Sequence, residues 1–207
     1  RILAEVEPEI AKHLTAVLND DPRLTVHTSV QINKISGKAG AVSVKYKDSD
    51  GKAHSIKVDY VIMGTGKRPV LDGLDLDKAG VASERSVITA DARCRTSVPH
   101  IFAIGDVAGP PWLAHKASHE GVLCVEKIAG VEGVHPLDTS NIPGCTYCWP
   151  QVASVGMTEQ KAVETGHEVK VGRFPYQGNG KAIALGEPEG MVKTIFDEKT
   201  GELLGAH

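Results

Sequence analysis

The 207-residue sequence lacks the features that mark several classes of protein. It has 23 lysines and arginines against 26 aspartates and glutamates, so no positive excess suggests a nucleic-acid partner. No apolar run approaches the roughly 20 residues that a membrane-spanning helix needs. Four scattered cysteines are too few for a disulfide framework in a chain of this length. We therefore expect a globular protein of a reducing compartment, cytoplasmic or, if eukaryotic, mitochondrial matrix, with no nucleic-acid partner and no membrane.

A glycine-rich phosphate-binding fingerprint is also missing. Neither Gly-x-Gly-x-x-Gly nor the acidic residue expected after it occurs. The first 70 residues nevertheless have the pattern of the back half of a dinucleotide-binding α/β domain. We predict a helix over residues 3–18, a strand at 24–26, a hairpin that turns at Asp50-Gly51 and a buried strand at 61–63. The chain cannot display an independent NAD fingerprint.

The most informative stretch joins an apolar strand, residues 101–104, to Gly105 and Asp106. Gly105 has no Cβ, which allows a sharp turn and a close approach by another group. A helix predicted to begin near Leu113 and to end near Ala129 offers unpaired backbone N–H groups and the positive end of its dipole. A carboxylate suits a polyol hydroxyl, and a helix N-terminus suits an electron-rich ring or an anion. These features predict one half of a flavin site; the alternative is a helix-capping acid in an ordinary strand–turn–helix.

Residues 96–121 resemble the second flavin motif of the pyridine nucleotide–disulfide oxidoreductases. The run Leu113-Ala114-His115-Lys116-Ala117 with Glu120-Gly121 is most similar to the dihydrolipoamide dehydrogenase branch of that family. The resemblance implies that Asp106 hydrogen-bonds the ribityl chain of FAD. It also implies that the helix start faces the pyrimidine side of the flavin ring, through Trp112, Leu113, Ala114 and His115. Methionine is common in the family where Trp112 stands, so the packing there is expected to differ.

The run Gly64-Thr65-Gly66-Lys67-Arg68-Pro69 is a second candidate site. Glycines at a strand end allow close backbone contact with a ligand, and two cations can neutralise phosphate. The resemblance implies that Gly66 touches the NAD nucleotide and that Ile35 lies beside its adenosine. The alternative for Lys67-Arg68 is a solvated pair on an exposed turn.

Residues 142–207 have the pattern of an α+β segment on an antiparallel sheet, with strands near 169–171, 191–196 and 203–204 and a helix capped by Thr158. They resemble the first portion of the family's dimer-interface domain. We therefore expect α/β (partial FAD- and NAD-binding domains) followed by an α+β interface domain. The expected domains are the C-terminal half of an NAD-binding domain over 1–69, the second segment of an FAD-binding domain over 70–141, and the N-terminal part of a dimer-interface domain over 142–207. Apolar patterns reach both ends of the sequence, and we expect a fragment of a longer polypeptide.

Three other motifs are open to different readings. His115 and His119 share a helix face and could in principle ligate zinc, but no third ligand stands out. Cys145-x-x-Cys148 looks like a redox pair, yet we predict a packing role because it falls in a strand and opens no helix. His135-Pro136 lies in a connector, ahead of the place where the family's catalytic His-Pro motif is expected.

The resemblance implies a homodimer formed through 142–207, FAD and NAD as cofactors, and electron transfer from a dihydrolipoyl dithiol to NAD. It further implies a lipoyl-bearing subunit of a 2-oxo acid dehydrogenase complex as partner. The family's redox cysteines and catalytic histidine fall outside these residues, so we predict no turnover and weak or no FAD binding by the isolated chain. The alternatives are another flavoprotein disulfide reductase, of the mercuric or glutathione type, and a non-catalytic dimerisation module.

Overall fold

The computed structural model describes all residues from Arg1 to His207. They form five α-helices and ten β-strands: α1 (Pro8–Asp20), β1 (Gln31–Lys38), β2 (Ala41–Lys47), β3 (Ala53–Val58), α2 (Leu76–Ala79), β4 (Ser83–Glu84), β5 (Val87–Ile88), α3 (Ala114–Ile128), β6 (Gly144–Thr146), β7 (Val152–Gly156), α4 (Glu159–Glu164), β8 (Val169–Pro175), α5 (Gly180–Leu185), β9 (Met191–Asp197) and β10 (Leu203–Ala206). Short 3₁₀ helices cover Gly105–Ala108, Thr139–Asn141 and Tyr176–Gly178. None of the helices has the length and apolar character that crossing a membrane requires.

The chain divides into two compact units, residues 1–64 with 145–207, and residues 65–144. The first unit contains a β1-β2-β3 meander and a five-stranded sheet of order β6-β7-β10-β9-β8. In that sheet β8 pairs with β9, β9 with β10 and β10 with β7, each antiparallel, and the mixed α/β architecture is as predicted. The division at residues 69 and 141 into three domains stays a prediction.

Helix α1 packs on the five-stranded sheet through one apolar face. Ile10 and Leu14, four residues apart, form a buried cluster with Val152 of β7. The predicted start of this helix was wrong, because α1 begins at Pro8 rather than near Leu3. A helix running through from Leu3 would place Pro8 in its interior, where proline lacks the N–H that the helix needs; at the first position that N–H has no helical partner anyway.

A buried ionic network joins α1 to the same sheet. The ammonium of Lys193, 2% exposed, lies 2.7 Å from Glu7 Oε1, 3.1 Å from Glu9 Oε2 and 2.6 Å from Glu159 Oε2. Arg173 adds a bidentate contact to Glu9, with Nε to Oε1 at 2.9 Å and Nη2 to Oε2 at 2.9 Å. Burial alone lowers the pKa of Lys193, but the hydrogen bonds to the three carboxylates raise it above its usual value. The network therefore holds Lys193 charged inside the unit.

The predicted hairpin is confirmed, whereas two predicted strands were wrong. In β2, Val44 and Tyr46 are buried on one face, and Asp48 accepts hydrogen bonds from the backbone N–H groups of the turn. Residues 24–26 and 61–63 form no strand, and Ile62 is 94% exposed. A strand forms only where its backbone pairs with a neighbouring strand, and none of the three sheets includes either segment.

The unit formed by residues 65–144 is built around helix α3. Leu123 and Cys124 of α3 pack against Cys94, and a second cluster joins Val81, Ile88 and Ala103. The predicted strand at 101–104 is replaced by a single antiparallel bridge between Arg95 and Phe102. Helix α3 covers nearly the predicted residues, and its apolar side chains Val122, Val125 and Ile128 are exposed.

The sheet of residues 145–207 follows the predicted pattern closely. Thr158 caps α4, its hydroxyl accepting a hydrogen bond from Lys161 N at 3.2 Å, as expected. Ala162 of α4, Ile195 of β9 and Leu204 of β10 form the buried core. Side chains of β9 therefore alternate between this core and the opposite face.

Candidate functional site

The turn after residue 104 brings the candidate carboxylate to the start of α3. Gly105 opens a 3₁₀ turn over Gly105–Ala108 with a φ of +71°, a conformation that strains any residue with a Cβ. A Cβ added there would lie 3.2 Å from the Cβ of Ala117, so the turn also sits tightly on the helix. Asp106 follows on the exposed side, with half of its side chain accessible.

Two residues of α3 fasten this turn. The buried Lys116 ammonium donates to Gly109 O at 2.9 Å and to Gly105 O at 3.4 Å, and lies 2.8 Å from Glu120 Oε1. The second oxygen, Glu120 Oε2, accepts from the Gly105 N–H at 2.7 Å. The turn is therefore held at both of its ends by side chains one helical turn apart.

A cation lies beside the Asp106 carboxylate. Lys67 Nζ is 3.3 Å from Asp106 Oδ2, donates to Trp112 O at 3.1 Å, and lies 5.8 Å from the centre of the Trp112 ring. Both charged side chains are about half exposed, so the pair itself adds little stability. It does hold Asp106 and Trp112 on either side of one ammonium group.

The start of α3 has no side-chain cap. Leu113 stands at the N-cap position and makes no capping hydrogen bond, and Ala114 and His115 are exposed. Backbone N–H groups of the first helical turn therefore face outward with the positive end of the helix dipole. The His115 side chain does not cap the helix, because its Nε2 is hydrogen-bonded to Pro143 O at 2.8 Å.

The residues present fit a flavin. Asp106 Oδ1 accepts no hydrogen bond within the chain, which leaves it for a hydroxyl donor. The Trp112 Nε1–H is buried without a partner, and such a donor is satisfied by a carbonyl or ring nitrogen. Together with the uncapped helix start, this donor and acceptor set matches a polyol chain joined to an electron-rich ring. The individual contacts of Asp106, Trp112, Leu113, Ala114 and His115 with FAD stay predictions.

The structure gives less support to the two residues predicted to contact the nucleotide. Gly66 is exposed, has a φ of +101°, and has no atom within 4 Å of an added Cβ, so its backbone is open to approach. Ile35 lies on β1 in the other unit and is 39% exposed. Lys67 and Arg68 were predicted either to neutralise phosphate or to be solvated on an exposed turn. The contact of Lys67 with Asp106, 39 positions away in the sequence, was not predicted. No sequence signal points to that pairing, whereas the four-residue spacing of Lys116 and Glu120 does indicate an ion pair.

The structure separates the two cysteines of the Cys145-x-x-Cys148 motif by their burial. Cys148 is partly buried against the α1 cluster, and its thiol lies 3.1 Å from Pro150 O. Cys145 is exposed on β6, so the packing prediction holds for Cys148 and was wrong for Cys145. Three carboxylates, of Glu7, Glu9 and Glu159, offer ligand atoms within 4.8 Å of one another, and this group contains neither histidine of α3. Lys193 already occupies its centre.

Comparison with known proteins agrees with this geometry. Residues 1–121 match the family model described as pyridine nucleotide-disulphide oxidoreductase, and residues 142–207 match its dimerisation domain. A dihydrolipoyl dehydrogenase of Rhizobium etli is 55% identical over 184 residues, which are 89% of this chain and 38% of that protein. One of Chlorobaculum tepidum is 40% identical over 207 residues, 100% of this chain and 44% of that protein.

Solved structures show the same fold. The flavoprotein disulfide reductase RclA of Escherichia coli superimposes with a TM-score of 0.87 at 26% identity, over 100% of this chain and 46% of that one. LpdA of Mycobacterium tuberculosis gives a TM-score of 0.83 at 22% identity, over 97% of this chain and 42% of that one, a likeness of fold alone. The chain thus spans less than half the length of these relatives. With the family model covering more than half of its residues, the chain belongs to the pyridine nucleotide-disulphide oxidoreductase family.

Proposed function

We propose that the chain supplies the flavin-contacting, nucleotide-contacting and dimer-interface segments of an FAD-dependent dihydrolipoamide dehydrogenase, which passes electrons from a dihydrolipoyl dithiol to NAD. The observation that carries the proposal is the half-exposed Asp106 carboxylate beside the uncapped start of α3. The relatives named dihydrolipoyl dehydrogenase support this choice of branch within the family.

In this proposal the chain's own residues bind and orient. Asp106 accepts a hydrogen bond from a ribityl hydroxyl of FAD, while Lys67 fixes the direction of the carboxylate. Trp112, Leu113, Ala114 and His115 present donors and apolar surface to the pyrimidine side of the ring. When bound, FAD supplies two-electron chemistry between a dithiol and a pyridine nucleotide. Gly66 and Ile35 contact that nucleotide, for which NAD is the form we propose.

The proposed assembly is a homodimer through residues 142–207, which match the dimerisation domain of the family. The proposed partner is the lipoyl-bearing subunit of a 2-oxo acid dehydrogenase complex, in the cytoplasm. Exposed apolar side chains in that segment, Tyr147 at 85% and Trp149 at 64%, are consistent with burial in a further interface.

The isolated 207 residues are proposed to be inactive. Cys145 and Cys148 lie in and after a strand and do not open a helix that would activate a thiol, so we assign them no part in the redox pair. A chimera tests the whole proposal: the chain replaces the matching segment of the Rhizobium etli dihydrolipoyl dehydrogenase. We expect dihydrolipoamide-dependent NAD reduction by the chimera and none by the isolated chain. A chimera that folds and dimerises without this activity would contradict the proposal.

The fold likeness to RclA favours one alternative, a disulfide reductase of another specificity. The two functions differ in the substrate that the chimera uses. Turnover with dihydrolipoamide but not with glutathione disulfide or mercuric ion supports the lipoamide branch, and the reverse preference supports the alternative. The remaining alternative is a non-catalytic dimerisation module. Sedimentation of the isolated chain tests it, because such a module should form a stable dimer without flavin.

A further inference from the structure

We infer that Lys116 and Glu120 are positioning residues for the flavin site, acting through the backbone of the turn that presents Asp106. This inference rests on the proposed function for its ligand, although the fastening of the turn is a property of the chain alone. Neither side chain reaches the exposed face where Asp106 and Trp112 lie, since Lys116 is 3% and Glu120 13% exposed.

The Lys116 ammonium is buried and fully hydrogen-bonded. Taking an ammonium out of water is strongly unfavourable unless its three hydrogens are bonded. Here all three have acceptors, which are Glu120 Oε1 at 2.8 Å, Gly109 O at 2.9 Å and Gly105 O at 3.4 Å. Two of the three are backbone carbonyls of the turn, so the ammonium draws both ends of the turn onto α3.

The Gly105 N–H is held by the second carboxylate oxygen of Glu120. It donates to Glu120 Oε2 at 2.7 Å, a charge-assisted bond that fixes the Ile104–Gly105 peptide, one residue before Asp106. Because Gly105 has a φ of +71° and rests against Ala117, few other conformations satisfy these bonds. The two residues on the helix therefore set the backbone from which the Asp106 side chain projects, while Lys67 contacts the carboxylate itself.

The role of Lys116 and Glu120 differs from that of an exposed ion pair that only stabilises a helix. An exposed pair four residues apart adds little stability, and exchanging its two charges leaves most of that small gain. In this pair the exchanged charges would set a carboxylate against two carbonyl oxygens and an ammonium against the Gly105 N–H. The double variant K116E/E120K therefore restores an ion pair but not the hydrogen bonds of residues 116 and 120 to the backbone of Gly105 and Gly109, which we call the clamp.

Amide hydrogen exchange of the 207-residue chain tests the clamp without any flavin. The variant Lys116→Met/Glu120→Leu removes both charges together and leaves no unpaired ion buried. We expect exchange at Gly105 N–H to accelerate at least tenfold in this variant and in K116E/E120K. The control Lys127→Met, on the same helix and making no hydrogen bond to the turn, should leave it unchanged. Unchanged protection of Gly105 in the first variant, or its recovery in K116E/E120K, overturns the inference.

Flavin release from the chimera with the Rhizobium etli enzyme tests the action through Asp106. We expect Lys116→Met/Glu120→Leu to weaken FAD binding at least tenfold and to shift the flavin absorption band. In an Asp106→Asn background the same change should weaken binding less than twofold, because the carboxylate it positions is gone. Equal losses in both backgrounds overturn the inference. If the parent chimera binds no FAD, the proposed function fails instead, and Gly105 exchange alone decides the clamp.

Discussion

Replacing Lys193 by methionine tests whether the buried network holds α1 to the sheet. Methionine keeps the length of the lysine stem and removes the ammonium that lies within 3.1 Å of carboxylates of Glu7, Glu9 and Glu159. The three carboxylates, with oxygens within 4.8 Å of one another, then face each other, and Arg173 remains as the salt-bridge partner of Glu9 and Glu159.

The expected cost follows from burial. Lys193 and Glu7 are 2% and 3% exposed, and removing one partner of a fully buried pair typically costs about 3–5 kcal/mol. The double variant E7Q/K193M leaves two carboxylates beside Arg173, and we expect it to be more stable than K193M alone. The pKa of Glu7, which burial raises, is brought below its usual value by the hydrogen bonds from Lys193 and from Glu159 N. Its carboxylate is therefore ionised at neutral pH, which makes the isolated loss of Lys193 costly.

Urea unfolding followed by far-UV circular dichroism measures this loss. Trp149 fluorescence in a Trp112→Phe background reports the same unit separately. Lys170→Met, an exposed lysine on β8, is the matched control and should cost less than about 0.5 kcal/mol. A cost for K193M as small as that of the control, or an E7Q/K193M variant less stable than K193M, would refute the reasoning.

Three further predictions concern single residues. The His167 hydrogen bond holds the pKa of Asp197 at about 2, below the usual 3.8. The stabilisation by the Asp197 carboxylate is therefore present above about pH 4 and is lost as the pH falls through 2. The unfolding free energy, measured as a function of pH, should fall less steeply between these values in Asp197→Asn. Burial and the nearby Glu120 charge raise the pKa of the Cys94 thiol to about 11, so iodoacetamide at pH 8 should label exposed Cys145 at least tenfold faster, as read by mass spectrometry. Gly156→Ala should lower the unfolding free energy by at least about 1–2 kcal/mol, since φ is +76° and the added methyl overlaps a carbonyl oxygen of β10.

Local patterns predicted much of the fold. The hairpin around Asp50-Gly51, the span of α3 and the Thr158 cap depend on residues close in sequence, and each is confirmed. The strands at 24–26 and 61–63 failed because strand formation depends on a neighbouring strand, which apolar pattern alone does not supply. The start of α1 failed for a local reason, the proline at its first position, which the helical spacing of apolar residues concealed.

The candidate site was only partly predictable. The sharp turn follows from Gly105, and the resemblance of residues 96–121 to a flavin motif pointed to Asp106 and to the helix after it. The Lys67 contact joins two loops far apart in the chain, and the fastening of Gly105 by Glu120 depends on backbone geometry that no spacing rule encodes. Such contacts can be identified only from the three-dimensional arrangement of the loops and the helix.

The most direct test of the account is the FAD content of the chimera carrying Asp106→Asn. Loss of a hydrogen bond to a charged group costs about 1.5–3 kcal/mol, which corresponds to roughly a 10- to 100-fold weaker FAD affinity. Asp72→Asn, an exposed aspartate of the same unit, is the matched control. We expect the Asp106 variant to lose FAD on dilution while the control retains it; equal FAD retention by both variants would contradict the role proposed for Asp106.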